Sequence, residues 1–177
     1  MVVARLQWHF VPRLSTRQYG FMPQKSTEDA LYNLESQIRA EIKLKKLVTL
    51  ISLDIEGAFD SACCPVNIRR LLDSYPDGRC VRLRYAGTEQ FRNTEKGCVQ
   101  GSISGPILWN VLLDPLLKGL HERGVTCQAY ADDVVLLFAG DNAREIQQHA
   151  NAALDFVQKW GVVNKFRLAP HKTCAIL

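Results

Sequence analysis

The run Thr126-Cys-Gln-Ala-Tyr-Ala-Asp-Asp-Val-Val-Leu-Leu-Phe-Ala139 decides the fold. Its two arms, Thr126 to Tyr130 and Val134 to Ala139, are strand-like, and only Ala131-Asp132-Asp133 separates them. So short a break makes a hairpin, and a hairpin makes its strands antiparallel. Helical and strand-like stretches alternate along the chain, yet this hairpin excludes a doubly wound parallel sheet. The expected class is α+β, an antiparallel sheet backed by helices.

Working outward, Leu47-Val-Thr-Leu-Ile-Ser-Leu53 is apolar, β-branched and of strand length, and it ends at Asp54. Ser26 to Asp29 matches a capping box opening a helix to about Lys46, with Leu31, Leu34, Ile38 and Ile42 on one face. Pro65 suits the first turn of a helix carrying Ile68, Leu71 and Leu72. Tyr75 to Gly78 is a turn, Arg79 to Tyr85 a strand, and Phe91 sits on its return. Pro106 opens a helix over 106–122, apolar on most faces and therefore buried, which Gly124 ends. An amphipathic helix over 142–160 carries Ile146, Ala150, Ala153, Leu154 and Val157, and Thr173 to Leu177 is a last short strand.

The 177 residues are 47% hydrophobic and 23% charged, with a net charge of +4, which fits one ordinary folded domain and excludes wholesale disorder. No apolar run reaches the ~18 residues of a membrane span. The nearest, Ile103 to Leu117, is interrupted by Gly105, Pro106, Asn110, Asp114 and Pro115. Six cysteines (Cys63, Cys64, Cys80, Cys98, Cys127, Cys174) show neither C-x-x-C nor zinc-finger spacing, and are expected as free, buried thiols in a reducing compartment. Residues 1–27 have a net charge of +4, residues 28–65 of −3 and residues 66–97 of +3. An acidic island between basic stretches suits a site for cations and a polyanion, although a solvated surface is the plainer explanation of charge alone. Residues 1–27 also resemble a mitochondrial presequence in composition, but Gly20-Phe21-x-Pro23 before a helix start argues against that.

Asp54 at a strand end and Asp132-Asp133 at a hairpin tip project three carboxylates from a rigid sheet. Hard divalent cations take carboxylate oxygens together with substrate phosphates. Asp-Asp in a turn is by itself ordinary turn chemistry. The flanking sequence is what raises it above that.

Tyr130-Ala-Asp-Asp133 between apolar strands, with Leu53-Asp-Ile-Glu-Gly-Ala-Phe-Asp60 upstream, resembles the palm of a reverse transcriptase. Gly97-Cys-Val-Gln-Gly-Ser-Ile-Ser-Gly-Pro106 resembles that family's Q-G-S-x-x-G-P loop. Trp160-Gly161, Asn164-Lys165 and Ala169-Pro-His-Lys-Thr173 resemble the motif after the catalytic hairpin. Gln18-Tyr-Gly-Phe21 and Ser26-Thr-Glu-Asp-Ala30 resemble the fingers-to-palm segment. The blocks stand in family order from about Gln18 to Leu177. They are most similar to non-long-terminal-repeat retrotransposons, especially the arthropod type that inserts into ribosomal DNA.

The resemblance implies a palm over residues 47–177 and a partial fingers and fingers-to-palm segment over 1–46. It implies an RNA-directed DNA polymerase that uses an RNA template, a DNA primer and deoxynucleoside triphosphates. Two Mg²⁺ or Mn²⁺ ions would be held by Asp54, Asp132 and Asp133, with the Ile55 carbonyl as a further ligand. Phe59 would exclude a ribose 2′-hydroxyl; Gln100, Gly101 and Ser102 would approach the nucleotide, and Lys172 the triphosphate. Arg82, Arg84, Arg92 and Lys96 are candidates for phosphate contacts, and Tyr130 for the primer end, its strand position equally suiting core packing. An intracellular location, nuclear or cytoplasmic, without a membrane, is implied as well.

Three departures stand out: no basic R-P-I-x-L block precedes Gln18, the stretch from Leu72 to Arg79 is short, and Cys63-Cys64 replaces bulky aromatics. With no thumb, endonuclease or zinc knuckle after Leu177, the chain is expected to be a fragment that polymerises weakly alone. The alternatives are a catalytically inactive nucleic-acid-binding remnant and an RNA-directed RNA polymerase palm. Phe59 and Ala131 speak against the second.

Overall fold

The computed structural model describes residues 2–56, 80–85, 88–93, 104–169 and 173–176. Helix α1 (Val2–Phe10) and a 3-10 turn (Val11–Arg13) lead to α2 (Thr27–Lys43), β1 (Leu47–Leu53) and β2 (Ile55–Glu56). After β3 (Cys80–Tyr85) and β4 (Thr88–Asn93) come α3 (Gly105–Glu122), β5 (Thr126–Tyr130), β6 (Asp133–Gly140), α4 (Ala143–Asn164), β7 (Arg167–Leu168) and β8 (Cys174–Ile176).

The hairpin forms as its sequence requires and is part of a four-stranded sheet in the order β5-β6-β1-β8, antiparallel throughout. β1 pairs with β6 from Leu47↔Gly140 to Leu53↔Val134. Side chains alternate across a strand, so this register puts Ile51, Leu53, Cys127, Ala129, Val134, Leu136 and Phe138 on one face. All seven are buried in one core with α3 and α4. The other face meets α2, where the Gln128 Nε2 donates to the Ala30 carbonyl at 2.8 Å. The sheet is therefore the middle of three layers. The two-stranded sheets β2–β7 and β3–β4 stand apart from it in pairing.

Local chemistry explains the helix ends. Ser26 Oγ accepts from the Asp29 N–H at 3.1 Å while Asp29 Oδ2 accepts from the Ser26 N–H at 2.8 Å, the expected capping box. Asn142 caps α4 in the same way, through the Glu145 N–H at 2.9 Å. Gly124, at φ 74°, lets the chain leave α3 at once. Helix α3 is buried round most of its circumference; Trp109, Leu113, Leu116 and Leu120 have no exposed surface.

Several expectations are corrected. α2 ends at Lys43, and its covered stripe runs through Ala30, Leu34 and Ile38, while Leu31 and Ile42 are exposed. The helix touches β1 and β5 along a narrow line, so apolar residues beside that line stay in solvent. α4 runs on to Asn164, where Lys165 turns the chain at φ 61° and Phe166 N–H donates back to the Gly161 carbonyl at 2.8 Å. Residues 2–10 form a helix to which the sequence reading gave no element, with Leu6 and Phe10 packed against the core. Cys127 is buried, and burial pushes its thiol up to about 11, but Cys174 is exposed on the edge strand β8. The helix at Pro65, the turn at Tyr75, and Cys63, Cys64 and Cys98 lie outside the described residues.

Leu113→Ala should leave a cavity between α3 and the sheet and lower the unfolding free energy by ~2–5 kcal/mol, measurable by urea titration.

Candidate active site

Continuing the β1–β6 register one step past Leu53↔Val134 brings Asp54 to the level of Asp133. Asp133 opens β6 opposite Tyr130, and Asp132 sits in the turn between them. Asp54 is held by its backbone too, since its carbonyl accepts from the Ala169 N–H at 3.0 Å. Ile55 is buried and pairs with Leu168 in the β2–β7 ladder. Residues from three separate stretches of sequence thus meet at one end of the sheet.

The charges sense one another. The Asp133 carboxyl is raised above the usual carboxylate range, first by partial loss of hydration and then by the nearby negative charges of Asp132 and Asp54. Among the described residues no three His, Cys, Asp or Glu side chains are grouped closely enough to hold a metal ion as they stand. The donor set suits a hard divalent cation: three carboxylates from rigid elements, with no soft ligand among them.

Tyr130 is 40% exposed at the end of β5, so it is not a core side chain. Arg82 and Arg84 both bind Glu89 across the β3–β4 ladder, Arg82 with contacts of 2.6 and 3.0 Å. These guanidinium groups hold the Glu89 carboxyl below its usual range. Arg92 is in β4. Phe59, Lys96, Gln100, Gly101, Ser102 and Lys172 lie outside the described residues.

Residues that the sequence reading did not place in the site hold the hairpin from behind. The Ala131 carbonyl accepts from Trp109 Nε1 at 2.9 Å and from Gln18 Nε2 at 3.2 Å. Polar residues inside an otherwise apolar helix were the available signal, and Asn110 beside Trp109 is one of them.

The reverse transcriptase (RNA-dependent DNA polymerase) family model matches residues 1–177. The chain belongs to the reverse transcriptase family. Among similar proteins is the 115 kDa protein of the type-1 retrotransposable element R1DM of Drosophila melanogaster, 33% identical over 173 residues. That alignment covers 90% of this chain and 16% of the relative. The Pol polyprotein from the type-1 retrotransposable element R1 of Bradysia coprophila is 27% identical over 176 residues, covering 93% of this chain and 17% of that protein. The chain thus spans about a sixth of the length of these relatives. In three dimensions it resembles apo telomerase from Candida tropicalis, with a TM-score of 0.57 at 14% identity, over 98% of this chain and 38% of that one. The fold is that of a reverse transcriptase palm, and divalent-metal dependence is general to the family.

The raised Asp133 carboxyl sets a pH dependence. The folded chain binds that proton more readily than the unfolded one, so its contribution to stability is complete below the ordinary carboxylate pKa and is lost as pH rises through the folded value. In chelator, Asp133→Asn should therefore raise Tm at pH 7, and calorimetry should show the gain closing below about pH 4.

Proposed function

We propose that this chain carries the nucleotidyl-transfer centre of an RNA-directed DNA polymerase, with Asp54, Asp132 and Asp133 as its catalytic carboxylates. The observation that supports it is the β1–β6 register, which brings Asp54 to the level of the turn carrying Asp132 and Asp133 at one sheet end. Residues 47–177 are the palm in this reading, and 1–46 the partial fingers and fingers-to-palm segment.

Asp54 and Asp132 would hold two Mg²⁺ or Mn²⁺ ions, with Asp133 and the Ile55 carbonyl completing the ligands. Bound there, the ions supply charge neutralisation for the triphosphate and lower the pKa of the primer 3′-hydroxyl. The protein's own part is positioning: the sheet fixes the carboxylates, and no protein nucleophile is needed. Tyr130, exposed beside the turn, is suited to the primer end. By the family resemblance, Phe59 would select the sugar, Gln100, Gly101 and Ser102 would serve the incoming nucleotide, and Lys172 the triphosphate. Arg92 and Lys96 contact the nucleic-acid backbone, joined by Arg82 and Arg84 when phosphate displaces Glu89. The partners are an RNA template, a DNA primer and deoxynucleoside triphosphates, within the cell. No helix among the described residues is long and apolar enough to cross a membrane.

Primer extension on an RNA template tests this directly. Extension should require Mg²⁺ or Mn²⁺ and fall by about 10³-fold or more in Asp132→Ala, the loss expected when a metal-holding carboxylate is removed. Nucleic-acid binding without extension, even after a relative's fingers block and thumb are restored, would instead assign the chain as an inactive remnant. Glu89→Gln should free two guanidinium groups and tighten binding of an RNA–DNA duplex by about two- to fivefold at low salt, with a steeper salt dependence in a filter-binding titration.

A further inference from the structure

The turn that carries Asp132 and Asp133 is not self-supporting. Ala131 has φ 58°, a left-handed conformation uphill for a residue with a Cβ, so something outside the hairpin must hold it. A carbonyl oxygen has two lone pairs, and both of Ala131's are taken by side chains distant in sequence, Gln18 Nε2 and Trp109 Nε1. Gln18 is 2% exposed, and Trp109 fully buried with its ring edge-on to Phe166 at 5.5 Å.

Each donor is itself fixed. Gln18 Oε1 accepts from the Gly20 N–H at 2.9 Å, which orients the amide. The Gln18 backbone forms a parallel bridge with Ala129, through Tyr19 N–H to the Ala129 carbonyl at 2.8 Å and Ala129 N–H to the Arg17 carbonyl at 3.0 Å. Gly20 lies so close that a Cβ there would stand 2.0 Å from the Ala131 nitrogen, so only glycine lets the two backbones meet. Its carbonyl accepts from Asn110 Nδ2 at 3.0 Å, next to Trp109 on the same helix. Among the described residues, none of the hydrogen bonds holding the turn uses a carboxylate oxygen of Asp132 or Asp133. The turn is gripped by its backbone.

We propose that Gln18 and Trp109 are positioning residues of the reaction centre, setting the place of Asp132 and Asp133 through the Ala131 carbonyl, with Gly20 as the close contact that seats them. This rests on the reading of the three aspartates as the metal-holding group. A buried turn could keep such bonds for stability alone, so the test separates placement from stability.

Mn²⁺ binding to the full 177-residue chain, followed by electron paramagnetic resonance, is the readout, with urea titration alongside. Gln18→Met keeps the bulk and removes the amide; Trp109→Phe keeps a ring against Phe166 and removes the donor. Each should weaken Mn²⁺ binding by about three- to tenfold, the effect of losing one hydrogen bond that orients a ligand group. Amide exchange at Asp132 and Asp133 should quicken with it. Gly20→Ala should do the same through its backbone clash. Val157→Ala, which removes core volume on α4 and no hydrogen bond to the turn, should lower stability while leaving Mn²⁺ affinity unchanged. Wild-type affinity in both Gln18→Met and Trp109→Phe, or an equal loss in Val157→Ala, would overturn the proposal; if Trp109→Phe does not fold, Gln18→Met and Gly20→Ala decide. Asp132→Asn tells the two readings apart. It should abolish Mn²⁺ binding, and if it does not, the site assignment itself fails, whatever the other variants do.

Discussion

The pairing of β1 with β6 is the constraint on which the site depends. Seven consecutive residue pairs fix it, and every second one sends an apolar side chain into the core beneath α3 and α4. A slip of one residue would turn Ile51 and Leu53 out to the α2 face and carry Asp54 out of level with Asp133. Burial therefore enforces the register, and the register enforces the geometry of the acids. The repulsion of Asp133 by Asp132 and Asp54 opposes that arrangement, set against apolar burial along two strands.

Much of this is written locally in the sequence. The hairpin needs only the short break at Ala131 to Asp133, the capping box only Ser26 and Asp29, and the edge of β1 only the change from Leu53 to Asp54. Each is a feature of neighbouring residues. What escaped reading depends on distant ones. Whether Leu31 or Leu34 of α2 is covered is settled by how narrowly that helix meets the sheet, which periodicity alone does not express. The end of α4 is set by Lys165 in the left-handed conformation, with Phe166 N–H bonded back to the Gly161 carbonyl, a closure that periodicity does not express. Cys174 is exposed because β8 is an edge, a property of strand order.

The polar residues of α3 show the same division most clearly. In the sequence, Asn110, Asp114 and Lys118 look like interruptions of an apolar run. At four-residue spacing they form one row along the helix. Lys118 Nζ donates to the Arg13 carbonyl at 2.8 Å, Asp114 Oδ1 accepts from the Ser15 N–H at 2.6 Å, and Asn110 Nδ2 donates to the Gly20 carbonyl at 3.0 Å. Residues 13–20 are thereby laid down along α3 rung by rung until they reach the hairpin. Each bond adds a net ~0.5–1.5 kcal/mol. Their larger effect is direction, because the row decides where Gln18 arrives. Residues 17–19 are thereby brought alongside β5, where Arg17 and Tyr19 hydrogen-bond to Ala129.

The separation of β1 from its partner also has a consequence for how the chain is made. Leu47 to Leu53 is an uncharged, strand-forming heptad, and the strand it needs begins only at Asp133. At a synthesis rate of ~5–20 residues per second, β1 is finished roughly 4–16 seconds before β6 exists to receive it. The β5–β6 hairpin and α4 are local and close quickly, whereas β1 must wait for a long loop to close. During that wait it is the kind of segment that seeds intermolecular sheets. Lys45 and Lys46 on one side and Asp54 on the other bracket it with charge, and so act as gatekeepers for the nascent strand. An aspartate at the centre of the acidic site thus has an earlier task, keeping β1 from pairing with another copy of itself.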